Sequence, residues 1–230
     1  MQLQSHARLA LPEDAAHHAA RVLRLREGDA AVLFDGSGGE YPVRLSLPGR
    51  GRVVAETAAR DDVERESPLA VILVQGVSSS EKMDFTIQKT VELGVAAIQP
   101  VLTAKSVVRL SAGREEKKLA RWRRVAIAAC EQCGRNRIPQ IAEPLPLERY
   151  RAPEGASKIL LSPAGTRKLG NLAHGPVALA VRPEAGFSDE EERLLQRAGF
   201  VPVRLGQRIL RTETAALAAL AALNALAGDF

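Results

Sequence analysis

The chain predicts an α/β protein: a parallel sheet covered by helices on both faces, preceded by a small β-rich domain. Three observations carry this expectation. After residue 68, apolar and β-branched runs alternate with helical stretches that open and close on capping residues. Before residue 60, short strand-like runs are broken by Gly-rich turns. Between them Arg60–Pro68 is too charged to bury and ends in Pro, which reads as a linker and sets the expected domains at 1–68 and 69–230.

Taken in order, the first domain opens with a helix around Asp14 to Val22. Ala30–Phe34 and Tyr41–Leu45 are strands joined by the hairpin turn Asp35-Gly36-Ser37-Gly38-Gly39, and Val53–Thr57 is a further strand. In the second domain Leu69–Gln75 is an apolar strand. Ser78 with Glu81 then reads as a capping box for a helix that runs to Leu93 and stops at Gly94. Strand Ala96–Leu102, helix 115–132, and strands Lys158–Leu161 and Val177–Val181 follow. Helix 189–198 has Ser188 and Glu191 as its box and Gly199 as its stop; strand Val201–Leu205 and a last helix complete the pattern.

Composition limits the function classes. At 230 residues and 46% apolar content the chain buries one good core or two smaller ones. The longest apolar run, Ala215–Leu223, is far below the roughly 20 residues that cross a bilayer. The stretch Met1–His6 has no basic end followed by an apolar run, so no export signal and a cytoplasmic location are expected. Net charge is +5, distributed as −2 over residues 1–68, +5 over 69–150 and +2 over 151–230. Within the middle third, Arg114 to Arg137 alone holds +5, the density expected of a phosphate-binding surface; a solvated helix face with i to i+4 ion pairs is the competing reading. Cys130 and Cys133 form a C-x-x-C, but no second ligand pair accompanies them, so two packed, reduced cysteines are expected and no metal.

Ligands of parallel α/β sheets bind beyond the carboxyl ends of the strands. Three strand ends carry Gly and Pro there: Leu161-Ser162-Pro163-Ala164-Gly165, Val181 to Phe187, and Leu205 to Arg211. None matches a Walker loop or a G-x-G-x-x-G fingerprint, which disfavours nucleoside triphosphates and dinucleotides. The last of them leads into a helix that is Ala and Leu on every side, and such a helix is expected to be buried all round. Its polar start, Arg211-Thr212-Glu213-Thr214, is therefore a candidate site for an anionic or strongly polar ligand.

Pro183-Glu184-x-Gly186-Phe187-Ser188 followed by Leu205-Gly206-x-Arg208-Ile209-Leu210-Arg211-x-Glu213-Thr214-Ala215 resembles the signature of the RsmE family, bacterial methyltransferases acting on N3 of a uridine in 16S ribosomal RNA of the small subunit. The resemblance extends through His17-His18-x-x-Arg21-Val22-Leu23-Arg24, Phe34-Asp35-Gly36-x-Gly38, Lys82-Met83-Asp84, Gln88 to Val95, Ser106-Val107-Val108 and Glu131-Gln132-x-Gly134-Arg135. It implies an N-terminal PUA-like β-barrel for RNA and a C-terminal SPOUT domain whose chain, roughly 158–230, threads a trefoil knot. The implied cofactor is S-adenosyl-L-methionine, and the implied assembly is a homodimer with each active site at the subunit interface.

Carried onto this sequence, the cofactor site comprises Leu161, Ser162, Pro163, Val181, Pro183, Glu184, Gly186, Leu205, Gly206, Ile209, Leu210, Thr214 and Ala215. Arg211 would face a uracil carbonyl oxygen and Glu213 would be the base that takes the N3 proton. His17, Arg21, Arg24, Lys82, Lys105, Arg109, Arg135 and Arg137 would grip phosphates on either side of an unpaired base. One departure stands out: the family pattern Gly-Pro-Glu-Gly-Gly is Arg182-Pro183-Glu184-Ala185-Gly186 here. If the first Gly serves a positive φ, Arg182 is expected to strain the loop or narrow the pocket. A non-catalytic RNA-binding or ribosome-assembly factor with an altered cofactor loop is then the alternative.

Overall fold

A computed structural model of the chain describes residues 2–49, 51–105, 114–170 and 175–230. It divides into two compact units: Met1–Arg65 with Gly134–Ile138, and Glu66–Cys133 with Pro139–Phe230. The division differs from a single cut after residue 68 because five residues from the middle of the chain belong to the first unit.

In the first unit β1 (Arg8–Ala10) precedes α1 (Glu13–His17), which continues as a π-helical turn over His18–Val22. Strands β2 (Ala30–Leu33), β3 (Tyr41–Gly49) and β4 (Arg52–Thr57) follow, and the antiparallel sheet order is β1-β4-β3-β2. Among the described residues β1 and β2 do not pair, so the strands form a sheet where a barrel was expected. Alternation sets its inner face: Val43 and Leu45 on β3 and Val53 and Ala55 on β4 are buried against Ala16 and Ala19 of the helical segment. The Gly36 to Gly39 turn does more than reverse the chain. A Cβ at Gly36 would come within 2.7 Å of Ile138, and one at Gly38 within 2.6 Å of the Arg137 guanidinium, so glycine lets 134–138 dock on the hairpin. The expected linker is likewise fastened: Arg65 pairs with Glu40 at 2.7 Å, and Asp61 and Glu40 exchange backbone hydrogen bonds at 2.8 Å. Its charges exclude it from a core, yet they find partners on the unit's surface.

The second unit contains β5 (Val71–Gly76), α2 (Ser80–Glu92), β6 (Ala97–Leu102), α3 (Arg114–Cys133), β7 (Gln140–Ile141), β8 (Leu145–Pro146), β9 (Ser157–Leu161), β10 (Val177–Val181), α4 (Asp189–Arg197), β11 (Val201–Val203) and α5 (Thr212–Ala227), with a 3₁₀ turn at Leu147–Arg149. Every pairing in its sheet is parallel, in the order β11-β9-β10-β5-β6-β7, with β8 on β6. All five residues of β10 are fully buried, as a central strand covered on both faces requires. Helices α2 and α5 pack together, with α3 on α2, while α4 and the 3₁₀ turn close the other face over Val74, Ala178, Ala180, Phe187, Leu195 and Phe200.

Two helix starts illustrate how far local signals reach. Ser188 and Glu191 form the expected capping box on α4. Ser78 and Glu81 do not: α2 begins one residue later at N-cap Ser79, whose amide donates to Glu184 Oε1 at 3.2 Å. A carboxylate distant in sequence replaces the local cap. Within the single chain, helix α5 buries one stripe (Thr212, Ala216, Ala219, Leu220, Leu223, Asn224) and leaves Ala218, Ala225 and Leu226 exposed. Asn224 earns its place in that stripe by donating to Leu93 O at 2.7 Å at the end of α2. Among the described residues no helix is long and apolar enough to cross a membrane.

Candidate active site

The carboxyl ends of β9, β10 and β11 surround a cleft of about 400 Å³ of empty space open to solvent. After β9, Leu161, Ser162 and Pro163 line it. Ser162 is buried, donates its amide N–H to Val203 O at 2.9 Å, and has its hydroxyl 3.4 Å from both carboxylate oxygens of Glu192. A Cβ on Gly165 would lie 2.7 Å from Val203 C and 2.9 Å from Arg204 N, so this loop crosses the β11 exit at main-chain contact distance. After β10, Val181 and Arg182 line the cleft. After β11, the wall is Val203, Arg204, Leu205, Arg208, Ile209 and Leu210, and Thr212 and Ala215 of α5 complete it. Among the described residues the main chain from Leu205 to Leu210 makes no backbone–backbone hydrogen bond, leaving its N–H and C=O groups available to a ligand.

Eight of the thirteen expected cofactor residues thus line one cleft: Leu161, Ser162, Pro163, Val181, Leu205, Ile209, Leu210 and Ala215. The other five do not line it, and their geometry gives the reasons. Pro183 packs on Gly76, where a Cβ would come within 2.4 Å of the proline ring. Glu184 turns to the start of α2, accepting from Ser79 and pairing with Lys82 Nζ at 3.4 Å. Burial pushes the Glu184 carboxyl up, but its own and the Ser79 amides and the Ser79 and Ser78 hydroxyls outweigh burial and hold it below the usual carboxylate value. Gly186 and Gly206 supply positive φ angles of 77° and 72° that shape the two loops. Thr214 is exposed on the first turn of α5.

Arg182 does not strain its loop. Among the described residues only His6 and Arg24 are non-glycines at positive φ, so Arg182 and Ala185 adopt ordinary backbone angles. Arg182 instead adds a guanidinium-bearing residue to the cleft wall.

A polar relay beside the cleft carries no sequence motif. Gln75, fully buried at the end of β5, donates through Nε2 to Thr212 Oγ1 at 3.0 Å, and Thr212 donates to Arg182 O at 2.6 Å. This ties β5, the β10 exit and the start of α5 together. The only sequence signal was a Gln inside an apolar strand. Arg211 is the exposed N-cap of α5, and Glu213 follows in its first turn with Oε2 buried and unpaired.

The expected RNA-binding residues separate into two kinds. His17, Arg21 and Arg24 are exposed on the first unit. Arg135 is buried at 5% exposure, and Arg137 donates to Glu64 Oε2 and Ser37 O, each at 2.8 Å, so both are part of the first unit's structure. Lys82 is half-buried against Glu184, and Lys105 Nζ lies 3.4 Å from Phe187 O. Arg109 and the segment Ser106-Val107-Val108 lie outside the described residues. Cys130 and Cys133 lie at the end of α3 as reduced thiols, Cys130 buried and Cys133 half-buried.

A parallel α/β unit with a main-chain-lined cleft at its strand ends, accompanied by a small antiparallel unit, is the build of a two-domain RNA methyltransferase. Family models agree: an RNA methyltransferase domain matches residues 65–224 and an RNA methyltransferase PUA domain matches residues 11–57. The chain is 33% identical over 96% of its length to ribosomal RNA small subunit methyltransferase E of Buchnera aphidicola, covering 88% of that protein, and 35% identical over 91% to that of Synechocystis, covering 70%. The crystal structure of ribosomal RNA small subunit methyltransferase E from Neisseria gonorrhoeae bound to S-adenosyl methionine superposes with a TM-score of 0.93 at 40% identity, over 100% of this chain and 96% of that one. A putative methyltransferase from Legionella pneumophila, in complex with the same cofactor, gives 0.94 at 38% identity over the same shares. The chain belongs to the ribosomal RNA small subunit methyltransferase E family.

Proposed function

We propose that the chain transfers the methyl group of S-adenosylmethionine to N3 of a uridine in 16S ribosomal RNA. The observation that carries this reading is the cleft: three strand ends converge on it, main chain from Leu205 to Leu210 that makes no backbone hydrogen bond among the described residues forms one wall, and Arg211 and Glu213 stand where α5 begins. The residues fit the cofactor. Leu161, Val181, Leu205 and Leu210 offer apolar faces to an adenine ring, and the free N–H and C=O groups offer partners for its edge. When bound, the cofactor supplies a sulfonium methyl as the electrophile.

The residues of this chain then do the rest. Loss of the N3 proton makes the uracil ring anionic, and Arg211, always charged and planar, stabilises that charge at a carbonyl oxygen. Glu213 accepts the proton; its Oε2 is buried and has no hydrogen-bond partner among the described residues. The Gln75–Thr212–Arg182 relay fixes the start of α5, and with it Arg211, against the β10 exit.

RNA is gripped by the exposed cations His17, Arg21 and Arg24 with those around the cleft. A second copy of the chain completes the enzyme, covering apolar side chains that one copy leaves open, among them Ile209 at 75% exposure and Leu226 at 56%. The close main-chain crossings at Gly76 and Gly165 support a threaded chain over 158–230. A non-catalytic factor is the weaker reading, because Arg182 carries no backbone strain.

The test is mass spectrometry of ribosomal RNA from a strain lacking the gene. Loss of one N3-methyluridine, restored by the wild-type gene, is expected. An unchanged modification profile overturns the reading. A Glu213→Gln enzyme that kept its full rate would remove the base from the mechanism while leaving the transfer itself intact.

A further inference from the structure

Three arginines line the cleft, Arg182, Arg204 and Arg208, and no aspartate or glutamate does. Among the described residues none of their guanidinium groups has an ion pair or a hydrogen bond. Glu184 is engaged with Ser79 and Lys82 at the start of α2, and Glu192 meets the cleft only through the Ser162 hydroxyl at 3.4 Å. Like charges around a small cleft repel one another, and an anionic group of a ligand placed among them relieves that repulsion.

The three are not equivalent. Arg204 and Arg208 are exposed. Arg182 is half-buried, follows the fully buried Val181, and has its carbonyl fixed by Thr212 at 2.6 Å. Of the three it is the most buried and stands on main chain that a hydrogen bond fixes, which suits a small ligand in the cleft better than a polynucleotide crossing its rim. On the cofactor reading above, on which this inference rests, the ligand carries a sulfonium and an ammonium and a single anionic group, the carboxylate of its amino-acid portion, and that is the group a guanidinium can hold. A guanidinium matches a carboxylate with two parallel hydrogen bonds.

We propose that Arg182 binds the carboxylate of S-adenosylmethionine, so that this chain holds the amino-acid end of its cofactor with a side-chain charge. Arg182 is thus a cofactor-binding residue, not a scar in the loop.

Calorimetric titration of the full-length protein with S-adenosylmethionine and with its decarboxylated analogue tests this. In Arg182→Gln, affinity for S-adenosylmethionine should fall roughly tenfold while affinity for the decarboxylated analogue stays at the wild-type value. Arg182→Lys should recover part of the loss. Thermal melting of Arg182→Gln should match wild type, because the guanidinium has no partner to lose among the described residues. Equal losses for both ligands, unchanged affinity for S-adenosylmethionine, or a lowered melting temperature would each overturn the assignment. Unchanged cofactor affinity with a shallower salt dependence of RNA binding would overturn it in favour of a phosphate contact. If the wild-type protein bound neither small molecule, the cofactor reading itself would fall.

Discussion

Two groups of arginine in this chain look alike in sequence and differ in the fold. Arg135 and Arg137 lie in the most basic stretch of the sequence, yet one is buried and the other is tied to Glu64 and Ser37. Arg182, Arg204 and Arg208 are scattered through a stretch of modest net charge yet line one cleft, and Arg211 caps α5 between two lining residues, all with side chains that make no hydrogen bond or ion pair among the described residues. Charge density alone does not mark a binding surface. What marks it is a cation whose protein partners have been withheld.

The largest effect that can break this contrast is at Arg211. Arg211→Ala should lower the rate of RNA methylation by roughly 10²–10³-fold, the usual cost of one donor to a developing oxyanion, with cofactor affinity measured by calorimetry unchanged. A variant that methylates at the wild-type rate would mean that lacking a protein partner is not evidence of function here.

Thr212→Val sharpens the other side, since it removes a tie without removing a charge. It leaves Arg182 O without its donor and Gln75 Nε2 with one acceptor fewer, beside a Gln75 Oε1 already unpaired. A stability loss of about 1–3 kcal/mol in urea unfolding is expected. A neutral result would show that the relay is incidental.

Arg137 and Arg208 provide the direct pair. Arg137→Ala should cost about 1 kcal/mol of stability, since half its side chain is exposed and its ion pair with Glu64 is a surface one. It should leave the salt dependence of RNA binding as it was. Arg208→Ala should do the reverse, leaving stability unchanged and reducing the slope of log K against log salt by about one. Exchanged outcomes would invert the comparison.

Much of this architecture was legible in the sequence, because strands, caps and stops are local. The apolar run of β10, the Ser188–Glu191 box and the Gly94 and Gly199 stops each depend on residues within one turn or strand, and the strand-end rule then located the cleft. What the sequence hid is long-range pairing. Gln75 and Thr212 are 137 residues apart, and Glu184 reaches Ser79 across 105, displacing the cap that Ser78 and Glu81 suggested. Arg137 was read as a phosphate ligand because nothing local reveals that Glu64, 73 residues earlier, would take it. A residue type reports what a side chain can do; only the fold reports whether its partner is already present.

The smallest effect, at Glu184, tests the same idea with a carboxylate. Its pKa in the folded protein lies below the ordinary 4.5, the hydrogen bonds from the Glu184 and Ser79 amides and the Ser79 and Ser78 hydroxyls overcoming the upward push of burial. A group whose folded pKa is depressed contributes stability that is present in full above its unfolded value and is lost as pH falls through the folded one. Glu184→Gln should therefore be less stable than wild type near neutral pH, with the gap closing as pH drops below about 4.5. The gap is expected to be small, because the carboxylate is about a third exposed and solvent screens it. Denaturant titrations of both proteins at a series of pH values measure it. A gap that stays constant into the acid range would show that Glu184 supports the β10 exit by packing alone, and the start of α2 would then owe nothing to the charge that reaches it from across the chain.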